Sequence, residues 1–248
     1  MPRRALHPSW PGLFAGAALA PFTALGSSLR SSRLFHPRGV VLRGSVEPAP
    51  ATSAAEREVG ERLAGPVFAR FSSAWWKTHE WPDVLGCALR FSTRSELALA
   101  PSGHDQDLLL ATIRHPLTTL LAPLSTHAND YLRNHYFGVS PFRVAPLGRV
   151  KLRLAPERPA PGGQGRDQRL DSALERGPIA LTLEARCDQL AARYRPIARI
   201  ELVARVEPEP LELRFDPFAS GRGLEPCGFV HGLRVASYAA SRYARGAT

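Results

Sequence analysis

Cysteine, lysine and long apolar runs are scarce in this chain, and each scarcity excludes something. The three cysteines, Cys87, Cys187 and Cys227, are odd in number and widely spaced. They form neither a zinc pattern nor a disulfide framework, so a reducing cytoplasm is the simpler compartment. No apolar run reaches the length needed to cross a bilayer, so no integral membrane segment is expected. Only Lys77 and Lys151 are lysines, which leaves 30 arginines among the 32 basic residues and a net charge of +10. A GC-rich genome produces such a bias as readily as a polyanionic partner does. The arginines are scattered, aromatic residues do not alternate with them, and no nucleic-acid-binding motif is present, so no nucleic acid partner is expected.

What is present is enough for a substantial core: 44 % of the 248 residues are hydrophobic. No internal repeat and no linker divides the chain. The expected organisation is an N-terminal arm over residues 1–32 and a single domain over 33–248. Within the arm, Met1-Pro-Arg-Arg4 precedes Gly12-Leu-Phe-Ala-Gly-Ala-Ala-Leu-Ala20, bracketed by Pro11 and Pro21. A basic start before a short apolar run is a signal-peptide pattern, and cleavage near residue 20 would place the protein in the periplasm. A proline-bounded helix packed on the domain is the favoured reading.

Hydrophobic periodicity supplies the elements. Alternation predicts a strand from Val40, further strands over residues 66–72, 87–91 and 108–113, and two clear ones over 179–185 and 197–203. A hairpin around Gly148 is predicted to join strands 141–144 and 150–154. Ser53-Ala-Ala-Glu56 is a capping box, so residues 54–64 should be a helix. Helices are also expected over 117–134 and 170–176, a disordered-looking loop over 157–168, and an irregular crossing segment over 207–232. Eight strands in mostly sequential order suit a small closed antiparallel barrel with peripheral helices, an α+β fold that is mainly antiparallel.

The last stretch, Gly232-Leu-Arg-Val-Ala-Ser-Tyr-Ala-Ala-Ser-Arg-Tyr-Ala-Arg-Gly246, organises the rest. Read as a helix, it brings Arg234, Tyr238, Arg242 and Arg245 onto one face, at steps of four, four and three. A face with three guanidinium groups and a phenol suits a flat dianionic cofactor. A phenol ionises near pH ~10, so a tyrosinate ligand at neutral pH needs a metal or a positive neighbour, and an arginine one turn away is always charged.

This segment resembles the proximal helix of haem catalases, where Arg-x-x-x-Tyr carries the axial iron ligand. The resemblance extends along the chain. Arg33-Leu-Phe-His36-Pro-Arg-Gly39 resembles the family's Arg-x-x-His-x-x-Gly, and Val67-Phe-Ala-Arg-Phe-Ser-Ser73 its Val-x-x-Arg-Phe-Ser-Thr strand. Trp81-Pro-Asp-Val-Leu-Gly-Cys-Ala-Leu-Arg-Phe91, Tyr136-Phe-Gly-Val-Ser-Pro-Phe-Arg-Val144, Phe215-Asp-Pro217 and Gly223-Leu-Glu-Pro226 follow in family order.

The resemblance implies a catalase-like barrel with a C-terminal proximal haem helix, and haem b as cofactor. Tyr238 would be the iron ligand with Arg234 as its partner, and Arg33, Arg70 and Arg245 would pair with the haem propionates. His36 would be the distal base, and Ser72 would hold its other ring nitrogen. An arginine inside Val-Phe-Ala-Arg-Phe would otherwise be a costly charge near the core.

Two positions depart from the family. Asp107, beside Gln106, stands where the family has a distal asparagine, and would assist proton movement only when neutral. Arg242 stands where histidine is usual. The family's dimer-wrapping insertions and C-terminal helical domain have no counterpart here, so a monomer or simple homodimer is expected.

The implied activity is catalase or peroxidase action on hydrogen peroxide or organic hydroperoxides. Rearrangement of fatty-acid hydroperoxides, or haem binding without catalysis, are the alternatives.

Overall fold

The structure, a computed structural model, describes residues 39–50, 53–76, 79–114, 121–138, 140–187, 192–207 and 213–228. Among these residues ten strands make one antiparallel sheet. They are β1 (Gly39–Pro48), β2 (Gly65–Ser73), β3 (Leu85–Phe91), β4 (Gln106–Ala111), β5 (Tyr136–Gly138), β6 (Phe142–Val144), β7 (Gly148–Pro156), β8 (Ile179–Cys187), β9 (Arg195–Val206) and β10 (Glu225–Pro226). The order β7-β5-β4-β3-β2-β1-β9-β8 closes on itself through a β7–β8 pairing, which gives an eight-stranded barrel. Closure leaves no barrel edge unpaired.

Alternating apolar side chains fill the interior: Val40 and Leu42 from β1, Ala69 and Phe71 from β2, Cys87 and Leu89 from β3, Leu108 and Leu110 from β4. Leu152, Leu154, Leu181, Leu183, Ile200 and Leu202 complete it from the other side. Glycine is required at 44, beside the bulge between Arg43 and Gly44 where β1 meets β9, because a Cβ there would run into the Glu201 carbonyl.

Among the described residues three helices flank the barrel: α1 (Ala54–Leu63), α2 (Ala122–Ser125) and α3 (Arg166–Glu175). The capping box of α1 forms as the sequence predicts, with Glu56 N donating to Ser53 Oγ and Ser53 N donating to Glu56 Oε2 at 2.8 Å.

Three expectations are corrected. The helix expected over 117–134 is, among the described residues, only α2 and a 3₁₀ turn at Tyr131–Arg133. Side chains take the backbone groups a helix would use: Thr126 Oγ1 donates to Ala122 O, Asp130 Oδ1 accepts from Leu132 N, and Asn134 Nδ2 donates to the His127 and Asp130 carbonyls. The loop expected over 157–168 ends early, because α3 starts at Arg166 after Gly165 at φ 101°. The strand expected at 141–144 is β6. The barrel strand is β5, and the two follow one another along the same edge of β7. The other predicted strands and the irregular crossing segment are observed, the latter over its described part, 213–228. The arm and the basic C-terminal segment lie outside the described residues, and so do His36, Arg33, Arg234, Tyr238, Arg242 and Arg245. Among the described residues no helix is long and apolar enough to cross a membrane.

Candidate functional site

The barrel is lopsided in its burial. Strands β7 and β8 alternate between buried and half-buried positions, as a wall with one solvated face should. Strands β2, β3 and β4 are buried on both faces almost throughout. Their outward face is therefore covered, and its side chains are a candidate site wall.

Register places that wall in rows. Gly39, Ser72, Gly86 and Ala111 lie side by side across β1 to β4. The next row is Val41, Arg70, Ala88 and Leu109, and the one after it holds Arg43, Phe68, Arg90 and Asp107. Four small residues in the first row and one in the second make a shallow floor about 15 Å across, at ~4.8 Å per strand. Arg70 crosses this floor toward β1. A Cβ on residue 39 would lie 2.8 Å from the guanidinium carbon of Arg70 and 2.5 Å from the Phe71 carbonyl oxygen, so only glycine admits the guanidinium there. Arg70 is 5 % exposed and Ser72 4 %, so both predicted residues belong to the buried wall.

Asp107 is on the same wall, but its partners differ from the expectation. Arg90 Nε donates to Oδ1 at 2.8 Å and Arg90 Nη2 to Oδ2 at 2.7 Å, while Asp216 N donates to Oδ2 at 2.7 Å. Burial pushes the Asp107 carboxyl above its ordinary range, and the Arg90 guanidinium opposes that push. Arg90 also donates to the carbonyls of Ala98 and Arg214, and its guanidinium lies 4.9 Å from the Phe215 ring centroid. Held by three donors, the Asp107 carboxyl clamps the crossing segment to β3 and β4.

Gln106, its neighbour, clamps the same segment. Its amide nitrogen donates to the Ala219 and Leu224 carbonyls, and its oxygen accepts from Leu224 N at 3.0 Å. Together Arg90, Gln106 and Asp107 fasten the crossing segment 213–224 to β3 and β4. That segment leads in sequence to the basic stretch carrying Tyr238.

Sequence reading missed Arg90 as a clamp, though the signal was available. Cys87-Ala-Leu-Arg-Phe91 repeats the pattern of an arginine amid strand apolars seen at Arg70. It also missed Arg166, whose guanidinium donates to Ser73 Oγ, to the Trp76 carbonyl and to the Ala128 carbonyl. Asp83 carried no motif. It is fully buried and accepts from Trp75 N, Trp76 N and Val84 N.

The wall fits one face of a planar, dianionic macrocycle: a small-residue floor for the ring and a buried arginine for a carboxylate. Among the described residues no group of three or more His, Cys, Asp or Glu could hold a metal ion.

In sequence, no described protein family and no curated protein matches this chain. In structure, it is similar to a bacterial catalase at 14 % identity and a TM-score of 0.61, over 86 % of this chain and 57 % of that one. The chain thus spans a little over half the length of that structure, and at this identity the likeness shows the fold: a closed eight-stranded antiparallel barrel of the catalase-like kind.

Proposed function

We propose that this chain is a haem b protein that processes hydroperoxides, as a catalase or peroxidase, at the outer wall of β1 to β4. One observation carries the reading: the small-residue floor crossed by Arg70 is buried on the outside of a barrel whose fold is catalase-like. Arg70, with Arg33 and Arg245, would hold the propionates. Tyr238 would ligate the iron, with Arg234 donating to the phenolate. Haem, when bound, would supply an iron centre able to give up electrons to the O–O bond.

The remaining work falls to side chains. His36 takes the proton from one hydroperoxide oxygen and returns it to the other, so that water or an alcohol leaves. Its second ring nitrogen must stay protonated, and Ser72 Oγ can accept that N–H. Register supports the pairing, because Gly39 lies opposite Ser72 and His36 is three residues before it.

The engagement of Asp107 with Arg90 favours a second chemistry. It leaves no amide donor where the family carries its distal asparagine, which disfavours rapid dismutation. It suits slower peroxidase turnover or rearrangement of a fatty-acid hydroperoxide. Protein produced with haem supplied should give a five-coordinate ferric tyrosinate absorption spectrum. Oxygen release from peroxide, oxidation of an electron donor, or an epoxide or aldehyde from a lipid hydroperoxide would then sort the chemistries. A haem spectrum with none of these would mean a binding module, and no haem spectrum at all would end the reading.

A further inference from the structure

Five of the seven large hydrophobic side chains exposed among the described residues sit at one end of the barrel. Trp75, Trp76 and Trp81 belong to the loop joining β2 to β3, Leu121 caps the start of α2, and Leu124 lies within it. They are between 36 and 76 % exposed. The two elements are fixed to each other, because Ala74, Val84 and Ala122 pack in one small apolar cluster with Ala111 and Ile113. Trp76 and Trp81 meet edge to face at 4.9 Å. Exposed clusters of this size mark contact sites.

The path of the chain says what reaches this patch. β1 begins at Gly39, opposite Ser72, one residue before β2 runs out into the loop of the indoles. Ser73 lies opposite Leu85 and Gly86 opposite Ala111, so β3 starts and β4 stops at the same end. Residues 1–38 therefore join the barrel where the apolar side chains are exposed. Over 5–29 they carry no Asp, Glu, Lys or Arg, and Trp10, Leu13, Phe14, Leu19, Phe22 and Leu25 are spread along that stretch.

We propose that residues 10–25 of the same chain pack over this patch, with the large apolar side chains of the arm against Trp75, Trp81, Leu121 and Leu124. The tether decides between this occupant and any other. The link over residues 26–38 can span up to ~45 Å, and it starts beside the patch, so it does not restrict the approach. A short flexible link gives its far end an effective concentration of order 1 mM, about a thousandfold above a separate partner at ~1 μM. A second copy or a foreign surface must first displace the arm. The apolar stretch of the arm and the apolar patch each lose contact with water by meeting, and neither needs a charge on the other. The inference does not rest on the haem reading.

Trp10→Phe leaves the three indoles of the patch as the only ones in the chain. In that background Leu13→Ser, Phe14→Ser and Phe22→Ser together should shift indole emission to the red and raise its quenching by acrylamide. Phe14→p-benzoylphenylalanine in the intact chain, once irradiated, should link to residues 74–84 or 121–125 of its own chain. Leu121→Ser with Leu124→Ser should reduce those links, a second reading that leaves the arm untouched. Unchanged emission and quenching in the arm variant, or links only to other parts of the barrel, would overturn the proposal. In a mixture of unlabelled and ¹⁵N-labelled protein, links that join one chain to another in place of links within a chain would overturn it in favour of a second copy as the occupant.

Discussion

Arg90 and Asp107 meet side by side on adjacent strands, both fully buried, through two parallel hydrogen bonds of 2.8 and 2.7 Å. The pair joins β3 to β4 and ties both to the crossing segment through Arg214 O and Asp216 N. Removing one member leaves the other charge buried without its counterion, which typically costs ~3–5 kcal/mol. Asp107→Asn and Arg90→Met should each lower the denaturation midpoint accordingly. Arg90→Met combined with Asp107→Leu should recover much of the loss, because an apolar pair of similar volume needs no counterion. Single variants within about 1 kcal/mol of wild type would show that the pair does not clamp the fold.

The cysteines give a test of the barrel itself. Cys87 points into the core at 1 % exposure, and burial drives its thiol well above the ordinary range. The reactive species is the thiolate, so the sign is clear: at neutral pH Cys87 should be inert. Cys187, exposed at the end of β8, should react with a thiol reagent promptly. Mass mapping after brief labelling should find Cys187 modified and Cys87 unmodified until denaturant is added. Prompt labelling of Cys87 in native protein would contradict the strand register that turns it inward.

Much of this barrel is legible in the sequence, and the reason is local. Strands β8 and β9 alternate cleanly because one face is wet, and the Ser53 capping box announces α1 without tertiary help. The 117–134 region misleads because its apolar spacing suits a helix, while the bonds that decide it come from Thr126, Asp130 and Asn134 side chains. Strand β5 is three residues long, too short to show a period. At the site, Arg70 and Ser72 are legible as motif residues. The Arg90–Asp107 pair is not, because the two are 17 residues apart and register alone brings them together.

Arg70 tests the wall. Arg70→Leu removes the guanidinium that lies over Gly39, and haem retention should fall by about tenfold or more, read as haem lost to an acceptor globin. Arg70→Lys keeps the charge and loses the fork, so it should fall between. Ser72→Ala should leave retention unchanged and lower turnover, because Ser72 is proposed to act through His36. Equal retention in wild type and Arg70→Leu would remove Arg70 from the cofactor site.

Solution mass tests the expected assembly. A monomer or a simple two-fold dimer is expected for the chain, since closed two-fold dimers are the commonest oligomer. Light scattering that gives four subunits would contradict it.

The proximal and distal assignments can be separated by one pair of variants. Tyr238→Phe keeps the ring volume, so the fold should survive, but phenyl offers iron no ligand. The arginines at 33, 70 and 245 would still attract the propionates, so some haem should remain, with a changed ferric spectrum and most turnover lost. His36→Ala would remove the proposed base and leave the proposed ligand. Its ferric spectrum should stay close to wild type, while turnover falls by ~10²–10⁴-fold, the usual contribution of a positioned general base. The two variants therefore differ in spectrum and agree in lost activity. If Tyr238→Phe kept both the wild-type spectrum and wild-type activity, the iron would have another ligand, and the floor on β1 to β4 would need another explanation.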